Sequence, residues 1–60
     1  MMVRLYFISG RVCTINASDE TFKYIRDYVG QKGRTISNSK DGTNVESIIN
    51  LEYVEYVEVA

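Results

Sequence analysis

The last sixteen residues, V-E-S-I-I-N-L-E-Y-V-E-Y-V-E-V-A from Val45 to Ala60, constrain the fold more than any other stretch. β-branched and aromatic side chains crowd it, and these suit a pleated, half-buried surface. Four of the chain's eight acids, Glu46, Glu52, Glu55 and Glu58, fall here, and no base does. Such a run is expected to supply both the centre of a sheet and a recognition surface.

Two periodicities compete within it. At period two, Leu51, Tyr53, Val57 and Val59 share a face with Glu55, while Val54 and Tyr56 share the other with Glu52 and Glu58. At period three, Leu51, Val54 and Val57 align and the glutamates lie opposite, which suits a short tight helical turn. The reading that respects both is a strand over Ser47–Asn50, a tight turn over Leu51–Tyr53 and a final strand over Val54–Val59. One continuous amphipathic helix is the alternative, but restricted χ1 angles lower the helix propensity of its valines and tyrosines.

Sixty residues make one domain, 1–60, that buries only about 60% of the surface its unfolded chain exposes. Domains this small usually need a disulfide, a metal or a second copy of themselves. Cys13 is the only cysteine and there is no histidine, which excludes an internal disulfide and leaves a poor ligand set for zinc. No metal or other cofactor is expected, and self-association is the staple that remains. A lone thiol also suits a reducing compartment, so the expected location is cytoplasmic. No apolar run approaches the roughly 20 residues of a membrane-spanning helix.

Val3 to Asn16 reads as a hairpin turning at Ser9-Gly10, with Gly10 supplying positive φ. A two-residue loop there pairs Phe7 with Val12, Tyr6 with Cys13 and Leu5 with Thr14. That register gives two apolar faces: Val3, Leu5, Phe7 and Val12 on one, Tyr6, Ile8, Cys13 and Ile15 on the other. One helix covers only one of them, so the second set is expected to bury itself against another copy, most simply as a homodimer.

The helix is predicted over about Asp19–Val29, with Ser18 as N-cap, Asp19 and Glu20 at its positive end and Gly30 closing it. Phe22, Ile25 and Val29 form its apolar stripe, with Tyr28 on the border and Tyr24 well outside. Arg34–Ser37 follows as a polar edge strand. Asn38–Asn44 is a polar run centred on Asp41-Gly42, either a solvated hairpin tip or a recognition loop. The order strand, strand, helix, strand, strand, short strand predicts an α+β domain, a mainly antiparallel sheet with one helix on one face.

Enzyme chemistry finds little support. Cys13 lies mid-strand with no imidazole to activate it, and the C-terminal glutamates read as a solvated face rather than as paired acids in a cleft. Charge is uneven. Residues 1–40 hold all seven bases and three acids, whereas residues 41–60 hold five acids and no base. Either the halves neutralise each other across neighbouring strands or an acidic edge meets a basic partner. Tyr6 and Tyr24 offer stacking and Lys23, Arg26, Lys32, Arg34 and Lys40 phosphate contacts, so a small nucleic-acid-binding regulator using the basic residues of the helix and following loop is the alternative. These bases are scattered rather than concentrated, and the sequence pI is near 5.2.

The hairpin around Ser9-Gly10, the single capped helix and the ending I-I-N-L-E-Y-V-E-Y-V-E-V resemble those of many small phage- and prophage-encoded proteins. In that group a strand-turn-strand-helix unit finishes on a motif of the form I-N-L-x-x-V-x-Y-V-E. The resemblance implies a small dimer or higher oligomer, sometimes an inhibitor of a host enzyme or of an antiviral defence system, and carries over no catalytic residue. The expected function is a non-enzymatic protein-binding module. Its acidic, tyrosine-rich surface is formed by Tyr24, Glu52, Tyr53, Glu55, Tyr56 and Glu58, and its self-association patch by Tyr6, Ile8, Cys13 and Ile15. Tyrosine offers large contact area at low entropic cost.

Overall fold

The computed structural model of the chain describes residues 1–39 and 46–60. Most of the polar run 38–44, including Lys40, lies outside the described residues. The elements are β1 (Met2–Phe7), β2 (Val12–Asn16), α1 (Asp19–Tyr28), β3 (Thr35–Asn38), β4 (Ser47–Asn50), a 3-10 turn (Leu51–Tyr53) and β5 (Val54–Val59). They form an α+β arrangement of one helix with antiparallel strands, divided between a three-stranded sheet in the order β2-β1-β5 and a two-stranded sheet of β3 and β4. No helix among the described residues is long and apolar enough to cross a membrane.

The C-terminal run is an edge of the larger sheet, and β1 is its centre. The physical reason is charge. β1 carries Val3 and Leu5, both fully buried, and no acid, whereas Glu55 and Glu58 of β5 need water. β5 lies antiparallel to β1, with Val3 opposite Val59, Arg4 opposite Glu58, Leu5 opposite Val57 and Tyr6 opposite Tyr56. The pairing then shifts so that Phe7 meets Val54, leaving Glu55 as the extra residue of a bulge. The bulge resolves the competing periodicities. Leu51 and Val54 are buried and Val57 is half-buried against the core, a spacing of three that a regular strand does not allow.

The β1–β2 register differs by one residue from the sequence expectation. Tyr6 pairs with Val12, Leu5 with Cys13, Arg4 with Thr14 and Val3 with Ile15. The loop holds three residues, Ile8-Ser9-Gly10, because the Phe7 N–H donates to the Arg11 carbonyl at 2.9 Å and the Gly10 N–H to the Phe7 carbonyl at 2.9 Å. Gly10 has φ +93°, the left-handed conformation that closes a three-residue loop. A one-residue slip moves every side chain of β2 to the other face. Here it carries Cys13 and Ile15 to the inner face beside Leu5 and Val3, and turns Val12 outward beside Tyr6. The gain is the burial of Ile15, which the two-residue loop leaves on the outside.

α1 begins as expected: the Thr21 N–H donates to Ser18 Oγ at 3.1 Å, and Asp19 and Glu20 occupy the first turn. It ends at Tyr28, and the Gly30 N–H donates to the Leu51 carbonyl at 2.8 Å, tying the helix end to the 3-10 turn. Ile25 is its one fully buried residue, with Phe22, Tyr24, Tyr28 and Val29 partly buried around it. The buried stripe is thus wider than predicted and includes Tyr24, which lines a shallow depression with Ile36 and Ser37 of β3. The core gathers Val3, Leu5, Ile15 and Val54 from the large sheet, Ile25 from the helix, Ile36 and Ile49 from the small sheet, and Leu51 from the turn.

Candidate functional site

With the inner face committed to the core, the outer face of the β2-β1-β5 sheet is left to solvent. Alternation and register assign it Arg4 and Tyr6 from β1, Val12 and Thr14 from β2, and Tyr56 and Glu58 from β5. Tyr6 and Tyr56 are directly opposite, and their rings stack with centroids 4.4 Å apart and planes 12° from parallel. Such a pair contributes about 0.5–1.5 kcal/mol beyond area burial, enough to hold both rings in one orientation. Val12, opposite Tyr6 on the other side, extends the apolar surface.

Two side chains converge on Glu58. The Tyr6 hydroxyl donates to its Oε1, Arg4 Nε lies 3.5 Å from the same oxygen, and Arg4 is also its cross-strand partner. Both charged side chains are 43% exposed, so the ion pair contributes at most about 1 kcal/mol and is screened by salt. Its main effect is geometric, fixing the carboxylate and the phenol relative to each other. The hydrogen bond to Glu58, partial desolvation and the nearby negative charge together raise the Tyr6 pKa above its ordinary value of 10.0. The phenol is therefore a neutral donor at physiological pH.

The residues expected to bind a partner do not all meet. Tyr56 and Glu58 share the outer face, and Glu55 adjoins them, exposed at the bulge. Glu52 is half-buried in the 3-10 turn, where its N–H donates to Asn50 Oδ1 at 3.0 Å. Tyr53 is exposed on a different side, beside the β1–β2 turn, whose Ile8 N–H donates to its carbonyl at 3.0 Å. Tyr24 is half-buried against Tyr28, with centroids 4.8 Å apart, and the Arg34 guanidinium sits 4.2 Å from the Tyr28 ring centroid.

The expected self-association patch also separates, as a direct consequence of the register. Ile15 is in the core, Cys13 is half-buried on the inner face, Ile8 is exposed in the turn, and only Tyr6 lies on the outer face. The sheet therefore does not carry two apolar faces. Sequence reasoning missed Arg4 and Tyr6 as members of one cluster with Tyr56 and Glu58. Pairing of the two chain ends is the signal that unites them.

Lys23 and Arg26 are exposed on α1, in the layer that packs on the inner side of the sheet, and Arg26 is paired with Asp27 at 3.2 Å. The bases of the helix and the outer-face tyrosines thus lie on separate layers. Among the described residues, no three His, Cys, Asp or Glu side chains come together as a metal-holding group. Comparison with protein-family models, curated proteins and solved structures gives no match for this chain.

Proposed function

We propose that the chain is a non-enzymatic protein-binding module whose contact surface is the outer face of the β2-β1-β5 sheet. The observation that carries this reading is the solvent-facing Tyr6–Tyr56 stack, held by Glu58 and bordered by Arg4 and Val12. Rigid tyrosines lose little entropy on binding, and a mixed polar rim around them suits a protein partner. Glu55 and Glu58 favour a partner with basic groups at its own rim. The likeness of the C-terminal run to small phage proteins makes a host or antiviral-defence protein the class to try first, with inhibition as the mode of action.

The alternative, a nucleic-acid-binding regulator, rests on Lys23, Arg26, Lys32 and Arg34. The pairing of Arg26 with Asp27 and the seating of Arg34 over Tyr28 reduce its support. The test is capture by the immobilised chain from lysate with and without nuclease treatment, comparing wild type with a Tyr6→Ser/Tyr56→Ser double variant. The expected result is a retained protein that the double variant loses, with Glu55→Lys slowing its association and flattening the salt dependence. Retention indifferent to both changes, or a retained nucleic acid that Lys23→Glu/Arg26→Glu releases, overturns the reading.

A further inference from the structure

A second surface, independent of the tyrosine face, lies where the β1–β2 turn approaches β4. An open groove of about 800 Å³ there is lined by Phe7, Ile8 and Cys13 on one side and by β4 and Tyr53 on the other. Ile8 is 67% exposed, Ile48 68% and Tyr53 51%, three large apolar side chains left to solvent around one groove. All four consecutive residues of β4, Ser47 to Asn50, border the groove. Successive side chains of a strand point to opposite faces, so a groove lined by all four runs along the strand's edge.

That edge is open to pairing. Among the described residues β4 is paired with β3 alone, with Thr35 opposite Asn50, Ile36 opposite Ile49 and Ser37 opposite Ile48. Continuing the same register, the Leu51 N–H donates to the Arg34 carbonyl at 2.8 Å. Antiparallel pairs alternate between hydrogen-bonded and non-bonded. Leu51 and Ile49 therefore point their backbone groups at β3, and Ile48 and Asn50 point theirs away from it, toward the free edge. Native edges are usually blunted by charge, proline or a bulge. β5 has Glu55, Glu58 and its bulge, whereas Ser47–Asn50 has neither a charge nor a proline.

We propose that this edge pairs with the same edge of a second copy of the chain, antiparallel about a twofold axis at Ile48. The strand is its own complement in that register. Ile48 meets Ile48 of the second copy and exchanges both backbone hydrogen bonds with it. Ser47 meets Ile49, and because the Glu46 N–H already donates to the Asn38 carbonyl of β3 at 2.8 Å, the paired segment stops at Ser47 and opposes no like charges. The pairing turns a two-stranded sheet of four-residue strands, marginal by itself, into a four-stranded sheet in the order β3-β4-β4-β3. It also brings the exposed Ile48 side chains together beside the groove. This supplies the second copy that a sixty-residue core calls for, on a different surface from the one the sequence suggested.

Sedimentation of the intact chain over micromolar to sub-millimolar concentrations tests this, together with cross-linking. The expected result is a monomer–dimer equilibrium whose dissociation constant rises about 100-fold in Ile48→Lys, where two ammonium groups meet at the axis. Ile48 is exposed, so this variant keeps its circular dichroism. In a Cys13→Ser background, Ile48→Cys places two thiols on Cα atoms about 5.5 Å apart across the axis, and a short bismaleimide captures a covalent dimer. Thr14→Cys on the β2 edge and Ser37→Cys on β3 are expected to leave monomer. A wild-type chain that stays monomeric overturns the proposal. So does a dimer that Ile48→Lys leaves intact, or cross-linking as efficient at Thr14→Cys as at Ile48→Cys.

Discussion

Tyr6 is the side chain on which the outer face turns, since it stacks on one β5 residue and donates to another. Its raised pKa means that the folded chain holds the phenol proton more tightly than the unfolded chain does. The resulting stabilisation is complete below the ordinary tyrosine pKa and is lost as pH climbs through the raised value. An NMR titration of ring-labelled tyrosine should place the Tyr6 midpoint above 10.0, and Glu58→Gln should lower it by removing the adjacent negative charge. A midpoint that Glu58→Gln leaves unmoved would show that the hydrogen bond to Glu58 does not form. At this scale the sequence is informative about local chemistry, such as the Ser18 cap and the left-handed Gly10. It is silent about partners fifty residues apart.

Among the elements, the β1–β2 hairpin shows how one residue of loop length redistributes a surface. Ser9-Gly10 is visible as a turn in the sequence, yet two- and three-residue loops both fit it. Only the burial of Ile15 against the helix and the small sheet decides between them. The expected outcome is that Ile15→Glu abolishes the thermal unfolding transition while Val12→Glu leaves it nearly unchanged. The two-residue loop predicts the reverse. For the helix, full burial of Ile25 against half-burial of Phe22 sets an order. Ile25→Ala should cost roughly 3–4 kcal/mol and Phe22→Ala roughly 2 in urea unfolding. Equal losses would mean that the stripe is centred closer to Phe22. Tyr24 escaped the sequence reading because its shelter comes from β3, and helical periodicity does not reveal which side of the helix a later hairpin occupies. The period-three signal of β5 was legible, but its cause, the bulge at Glu55, depends on the pairing with β1.

At the scale of the whole molecule, the described residues are distributed between a core shared by two small sheets and a helix, and two exposed regions of different character. The order of elements and the α+β class follow from local patterns, because each strand and the helix carry their own start and stop signals. Charge marks β5 as an edge, but its partner strand and the edges that stay open follow from long-range pairing that no local pattern encodes. The central functional claim is that partner proteins meet the sheet on the side away from the helix. The most direct measurement is the backbone amide spectrum of the labelled chain, with and without the captured partner. The account predicts that shifts concentrate on Arg4, Tyr6, Val12, Thr14, Tyr56 and Glu58. A footprint centred instead on Lys23, Arg26 and Arg34, with the sheet unperturbed, would contradict it.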